Sequence, residues 1–235
     1  MKYCLIFSLL CTWSVFALPP DNNWPSRNSR LNGTFLYDEL WDSNMDIANK
    51  TLETDFLKKM VAGTLPTECY MKFTLQDIYY LVGVTKILKH LKKQKEPRED
   101  VKDFLIERYN SYNRFAQETL KQYNLKNAND IQPSKATASY LKSYNQIAQN
   151  IAKKDHMYFA VALLPCARLW PYLAEHLNIS SSSPYYAFKR DNEGGSAEKH
   201  YKNLLEKHRH SMKESIVRTI FKQHMTYENK FFVSA

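Results

Sequence analysis

Three stretches of the chain each set one reactive group among apolar residues. In Leu75-Gln76-Asp77-Ile78-Tyr79-Tyr80-Leu81 an acid interrupts hydrophobic sequence, and Tyr80, three residues on, shares its face if the segment is helical. An acid buried there is costly unless something bonds it. In Ala162-Leu163-Leu164-Pro165-Cys166 a thiol closes an apolar run, with Trp170 one turn later. In Tyr227-Glu228-Asn229-Lys230-Phe231-Phe232 a second acid precedes Phe231 by three. Taken singly, Cys166 reads as a small core residue, and Asp77 or Glu228 as a partner in a core hydrogen bond. Together they are the parts of an aromatic-walled pocket with a thiol for nucleophilic chemistry and two carboxyls for proton transfer.

Helices must position these groups, because helix-period apolar patterns dominate from Thr34 onward. Phe35, Leu36, Leu40 and Trp41 begin one such pattern, and Phe56, Leu57, Met60 and Val61 continue it to Gly63-Thr64-Leu65-Pro66. Thr67 is expected to cap a long helix through Lys95, stopped by Pro97. Further helices are expected over Asp100–Tyr123, Pro133–Lys154, Asp155–Leu177, Ala197–Arg209 and Ser211–Ser234. No repeat, heptad seam or convincing strand is visible. The expectation is an all-α, single-domain bundle of about eight helices around a central pocket, over residues 34–235.

Composition removes other classes. The 235 residues hold only 5 Gly and lack the glycine signatures of dinucleotide and P-loop sites. Four Cys are too few for a disulfide-stapled mini-domain. His208 and His210 point to different faces of a helix, and no His-Glu-x-x-His occurs, so neither a metal nor a cofactor is expected. The net charge of +9 gathers partly in Lys86, Lys89, Lys92, Lys93 and Lys95. Those lysines read as the solvated face of a helix rather than a nucleic-acid site.

The N-terminus reads as an export signal. Lys2 precedes an apolar run from Cys4 to Phe16, with Val15-Phe16-Ala17 marking a cut after Ala17. The run is shorter than the ~20 residues that span a bilayer, so no membrane anchor is expected. Residues 18–33 read as an exposed leader, and sequons at Asn32, Asn49 and Asn178 fit a secreted, extracellular glycoprotein. Removal of the signal leaves Cys69 and Cys166, both expected to be free.

At these residues the chain resembles the TenA/thiaminase II family, helical bundles of the haem-oxygenase-like fold. The matching pieces are Gly63-Thr64-Leu65-Pro66, the Asp77 segment, Pro133-Ser134 with Ser139-Tyr140, the Cys166 segment, Gly194-Gly195 and the Glu228 segment. They run in family order from about Leu40 to the C-terminus. The resemblance implies that Cys166 is the nucleophile adding to an aminopyrimidine ring and that Glu228 is the acid/base. It implies that Asp77 holds the ring's amino and nitrogen edge, and that Tyr80, Tyr140 and Phe231 stack on or bond the ring. The family usually carries Tyr where this chain has Trp170, and another where it has Glu193, so these two substrate-binding positions depart from the pattern. Trp170-Pro171 is also expected to disturb the helix at Trp170.

The function expected is a secreted thiaminase that cleaves thiamin or hydrolyses aminopyrimidine derivatives, with transfer of the pyrimidine to an organic nucleophile as a further route. The alternative is a secreted, non-catalytic binder of a flat aromatic ligand. The expected partner is a small molecule, with no nucleic acid or membrane, and the resemblance is compatible with a homo-oligomer.

Overall fold

Ten α-helices and no strand make up residues 34–235, the part of the chain that the computed structural model describes. The segments expected to be an export signal and a leader, and the sequon at Asn32, lie outside the described residues. The helices are α1 (Leu36–Asp42), α2 (Met45–Leu52), α3 (Asp55–Val61), α4 (Thr67–Leu91), α5 (Glu99–Gln122), α6 (Lys135–Gln146), α7 (Met157–His176), α8 (Tyr186–Asn192), α9 (Ala197–Lys207) and α10 (Glu214–Val233).

The expected first helix is three short ones, because polar side chains compete with the backbone at each break. Ser43 Oγ donates to the Glu39 carbonyl at 2.7 Å and Asn44 Nδ2 to the Leu40 carbonyl at 2.8 Å, closing α1. Thr54 Oγ1 donates to the Thr51 carbonyl at 2.9 Å, closing α2. Thr67 is the first residue of α4 rather than its cap; Pro66 holds the cap position and offers no side-chain bond. Its fixed φ of −61° suits the entry to the helix. Gly63, at φ +69°, makes the turn before it.

The helix expected over Pro133–Lys154 begins at Lys135 and gives way at Ile147–Ile151 to a single π-turn. Ser134 caps α6 by accepting from the Thr137 N–H at 3.1 Å. Gln76 of α4 fixes the same corner, accepting from the Ser134 N–H at 2.7 Å and donating to the Gln132 carbonyl at 3.0 Å. The residue beside Asp77 therefore sets where α6 starts.

Helix α7 lies at the centre, packed by α10, α9, α8 and α2, while α4 packs on α5 and α6. Its apolar residues from Met157 to Pro165 are all buried. It is long and apolar enough to cross a membrane, but 67% of that window is covered by the rest of the bundle. The helix also runs on through Pro165 and Pro171 to His176, against the break expected at Trp170-Pro171. Tertiary packing holds Trp170 in helical conformation: the indole sits among Phe73, Phe188, Phe231 and Phe232, with ring centroids 5.2 to 6.4 Å apart.

Candidate active site

Four helices converge on one narrow cleft. Helix α4 supplies Asp77 and Tyr80, α6 supplies Tyr140, α7 supplies Trp170, and α10 supplies Glu228 and Phe231; together they line one tight slot. Cys166 stands one turn before Trp170 and its thiol interacts with the Tyr80 hydroxyl and the Glu228 carboxyl. The structure thus brings together Cys166, Glu228, Asp77, Tyr80, Tyr140, Trp170 and Phe231. It does not bring Glu193 to them. Glu193 is exposed at the end of α8, with Lys189 Nζ 3.6 Å from its carboxylate, so the expected substrate contact is corrected to a surface ion pair.

Glu228 is 2% exposed and both of its oxygens are engaged. Tyr140 Oη donates to Oε1 at 2.7 Å and Trp170 Nε1 donates to Oε2 at 3.0 Å. Trp170 lacks the hydroxyl of a tyrosine, but its indole N–H reaches the carboxylate directly. Asp77 differs: it is half-buried, and no described residue gives it a hydrogen bond or an ion pair.

Burial dominates the electrostatics. It pushes the Cys166 thiol well up, and the neighbouring Glu228 charge adds to that, while the Tyr80 hydroxyl opposes it. The resting group is therefore a thiol that needs a base beside it. Burial raises Glu228 as well, but the Tyr140, Trp170 and Cys166 hydrogen bonds pull it back. Asp77 is pushed up to about 7, by burial first and then by the Glu228 charge. Both carboxyls are therefore raised, but Glu228 has donors at its two oxygens that favour its ionised form, whereas Asp77 has none.

Two contributors escape a reading of single motifs. Phe73 stacks on Trp170 with centroids 5.8 Å apart and forms the back of its wall. Tyr144 is fully buried in the core, its hydroxyl 3.0 Å from that of Tyr80 and 3.2 Å from that of Tyr140. Its spacing of four from Tyr140 is the signal that could have found it. Cys69 and Cys166 are both free. Among the described residues no group of three or more His, Cys, Asp or Glu side chains could hold a metal.

The sequence pattern of the TENA/THI-4/PQQC family matches residues 41–235. The chain belongs to that family. No curated protein matches its sequence at a significant level. Among solved structures it resembles a TenA homologue from P. horikoshii, at 23% identity and a TM-score of 0.67, over 85% of this chain and 97% of the other. A TenA family transcription regulator from a Silicibacter species aligns at 15% identity and a TM-score of 0.70, covering 83% and 94%. A candidate TenA-like thiaminase from Sulfolobus solfataricus aligns at 16% identity and a TM-score of 0.63, covering 86% and 95%. At these identities the structures establish the TenA-like helical fold of this chain, which agrees with the all-α bundle expected from sequence.

Proposed function

We propose that this TENA/THI-4/PQQC family member is a secreted thiamin-degrading enzyme with Cys166 as nucleophile. The observation that carries the reading is the Cys166 thiol beside a Glu228 carboxylate fixed at both oxygens, at the edge of an aromatic slot that also holds an unbonded acid. As the sulfur adds to the electron-poor pyrimidine ring, its proton passes to Glu228. A protonated Asp77 donates to the ring's nitrogen edge and accepts from its amino group. The ring electrons then expel the substituent on the neighbouring methylene, the thiazole of thiamin or an amine. Water or an organic nucleophile takes its place, the S–C bond breaks, and the thiol recovers its proton.

The test is incubation with thiamin and with its aminopyrimidine fragments, with and without an added organic base. Wild type should turn over, while Cys166→Ser and Glu228→Gln should each lose about a hundredfold or more in kcat. Mutants that match wild type would remove both roles. Trp170 favours the second reading, a binder of one flat ring, because it adds an aromatic wall to the slot and no hydroxyl. Tight aminopyrimidine binding by a wild type that turns nothing over would select that reading.

Export is part of the proposal. Protein recovered outside a eukaryotic expression host should begin at Leu18. Asn178 is exposed in the loop after α7 and is the favoured glycan acceptor. Asn49 is the poorer one: its Oδ1 accepts from Tyr172 Oη at 2.8 Å, and Thr51 of its sequon is buried, receiving Asn229 Nδ2 at 3.0 Å. Peptide mapping that finds Asn49 occupied and Asn178 bare would reverse this assignment.

A further inference from the structure

Resting on the proposed roles of Cys166 and Glu228, we propose that Tyr144 is a positioning residue whose hydroxyl accepts a hydrogen bond from whichever neighbouring phenol is idle, allowing the thiol proton to move without orphaning a buried donor.

Tyr144 Oη has three neighbours. It donates to the Ala162 carbonyl at 3.2 Å, in the turn of α7 that precedes Cys166. The Tyr80 and Tyr140 hydroxyls stand at 3.0 and 3.2 Å. A phenol has one proton to give and two lone pairs to accept with. With its own proton on Ala162, Tyr144 can only accept from its two neighbours.

The proton count then has two solutions. With Cys166 a thiol and Glu228 ionised, Tyr140 donates to Glu228 and Tyr80 donates to Tyr144. With the proton moved from sulfur to Glu228, Tyr80 turns to the thiolate, Glu228 donates to Tyr140, and Tyr140 turns to Tyr144. No proton is gained or lost, and no O–H is left without an acceptor in either state. Tyr80, Tyr140 and Tyr144 are all buried and neutral, burial holding each well above its ordinary value. An orphaned donor among them would slow each transfer about tenfold or more. Without Tyr144 the idle phenol has no such acceptor.

The ring needs a rigid seat. Tyr144 is stacked on Tyr140 with centroids 4.9 Å apart and meets His224 edge-on at 4.5 Å and Phe159 at 5.7 Å. The ionisable groups that act on Cys166 are Glu228 from α10 and Asp77 and Tyr80 from α4. Tyr112 of α5, Tyr140 and Tyr144 of α6, and Tyr201 of α9 also feel it. None of them is a cation, so hydroxyl donation is the thiolate's nearest support.

Tyr144→Phe keeps the ring and deletes the hydroxyl. Turnover should show kcat reduced about tenfold with KM within about twofold, since the residue does not line the cleft. Iodoacetamide alkylation of Cys166 provides a readout that needs no substrate. In the variant Tyr80 has only sulfur left to bond, so the pH midpoint of alkylation should fall by about half a unit or more, with the plateau rate unchanged. Phe159→Leu, which loosens the same packing, should alter the plateau or the melting temperature and leave the midpoint in place. An unchanged midpoint in Tyr144→Phe, or an equal shift in Phe159→Leu, overturns the assignment. A shifted midpoint in a protein that degrades no thiamin would instead retire the thiaminase reading and keep the hydroxyl role.

Discussion

Glu228, which is buried, and Asp77, which is half-buried, are two carboxyls kept different by what touches them. Glu228 has donors at both oxygens, whereas Asp77 has none and is pushed up to about 7. A raised carboxyl binds its proton more tightly folded than unfolded. Asp77 therefore lowers stability progressively as pH rises from about 4 towards 7, and the full cost is present above that. Asp77→Asn should stabilise the protein by about 1–2 kcal/mol at pH 8, after allowance for its partial exposure, and have little effect at pH 4. Thermal melts at the two pH values check this. The same variant should bind aminopyrimidines poorly, stability gained where function is lost. Trp170→Phe removes one donor from Glu228, so its carboxyl should titrate at higher pH. In the proposed mechanism Glu228 accepts the thiol proton in its ionised form, so the acidic limb of the pH–rate profile should move upward. An unmoved limb would mean that the indole N–H is only packing.

At the scale of elements, the site depends on how closely α4 and α6 approach. Gly83 lies one turn beyond Tyr80, and a Cβ there would stand 2.7 Å from both Leu141 methyl carbons, next to Tyr140. Glycine is otherwise unfavourable inside a helix, and its absent side chain is what lets the two helices meet. Gly83→Ala should cost about 1–3 kcal/mol in urea unfolding and lower kcat by separating Tyr80 from Tyr144. A variant of wild-type stability and rate would show that Leu141 simply turns aside. Several helix ends were legible in sequence: Glu99–Gln122 and Ala197–Lys207 fall within two residues of expectation. The breaks within residues 35–61 were not, because the hydrophobic pattern continues across side-chain hydrogen bonds that end the helices. Short α8 was missed because seven residues carry too little periodicity to register.

Across the whole molecule, ion pairs far from the cleft stabilise the bundle at neutral pH and fail it in acid. Glu96, whose side chain is 3% exposed, pairs with Arg98 at 2.7 Å and with His156 at 2.8 Å. Arg98 also reaches Asp155 at 2.8 Å, linking the α4–α5 loop to the start of α7. Despite its burial, these hydrogen bonds hold Glu96 down to about 2, and those of Lys207 and His208 hold Asp100 at about 2. Stability from such depressed carboxyls is present above the usual carboxylate range and is lost as pH falls from about 4 towards 2. Glu96→Gln should cost about 3 kcal/mol at neutral pH, and the difference from wild type should shrink below pH 3 in denaturant titrations. An equal penalty at both pH values would point to packing rather than charge.

The sequence by itself determined the helical class and three of the segments that meet, with most of the side chains they bring to the slot. Period and residue type are local properties, written wherever an acid or a thiol interrupts an apolar face. Only the tertiary structure decided which groups act on one another. It put Trp170 on Glu228, left Asp77 unbonded, turned Glu193 away to Lys189 and made Tyr144 a junction of three hydroxyls. Hydrogen bonds between helices dozens of residues apart depend on crossing geometry and on the close approach at Gly83, and no window along the chain contains that information.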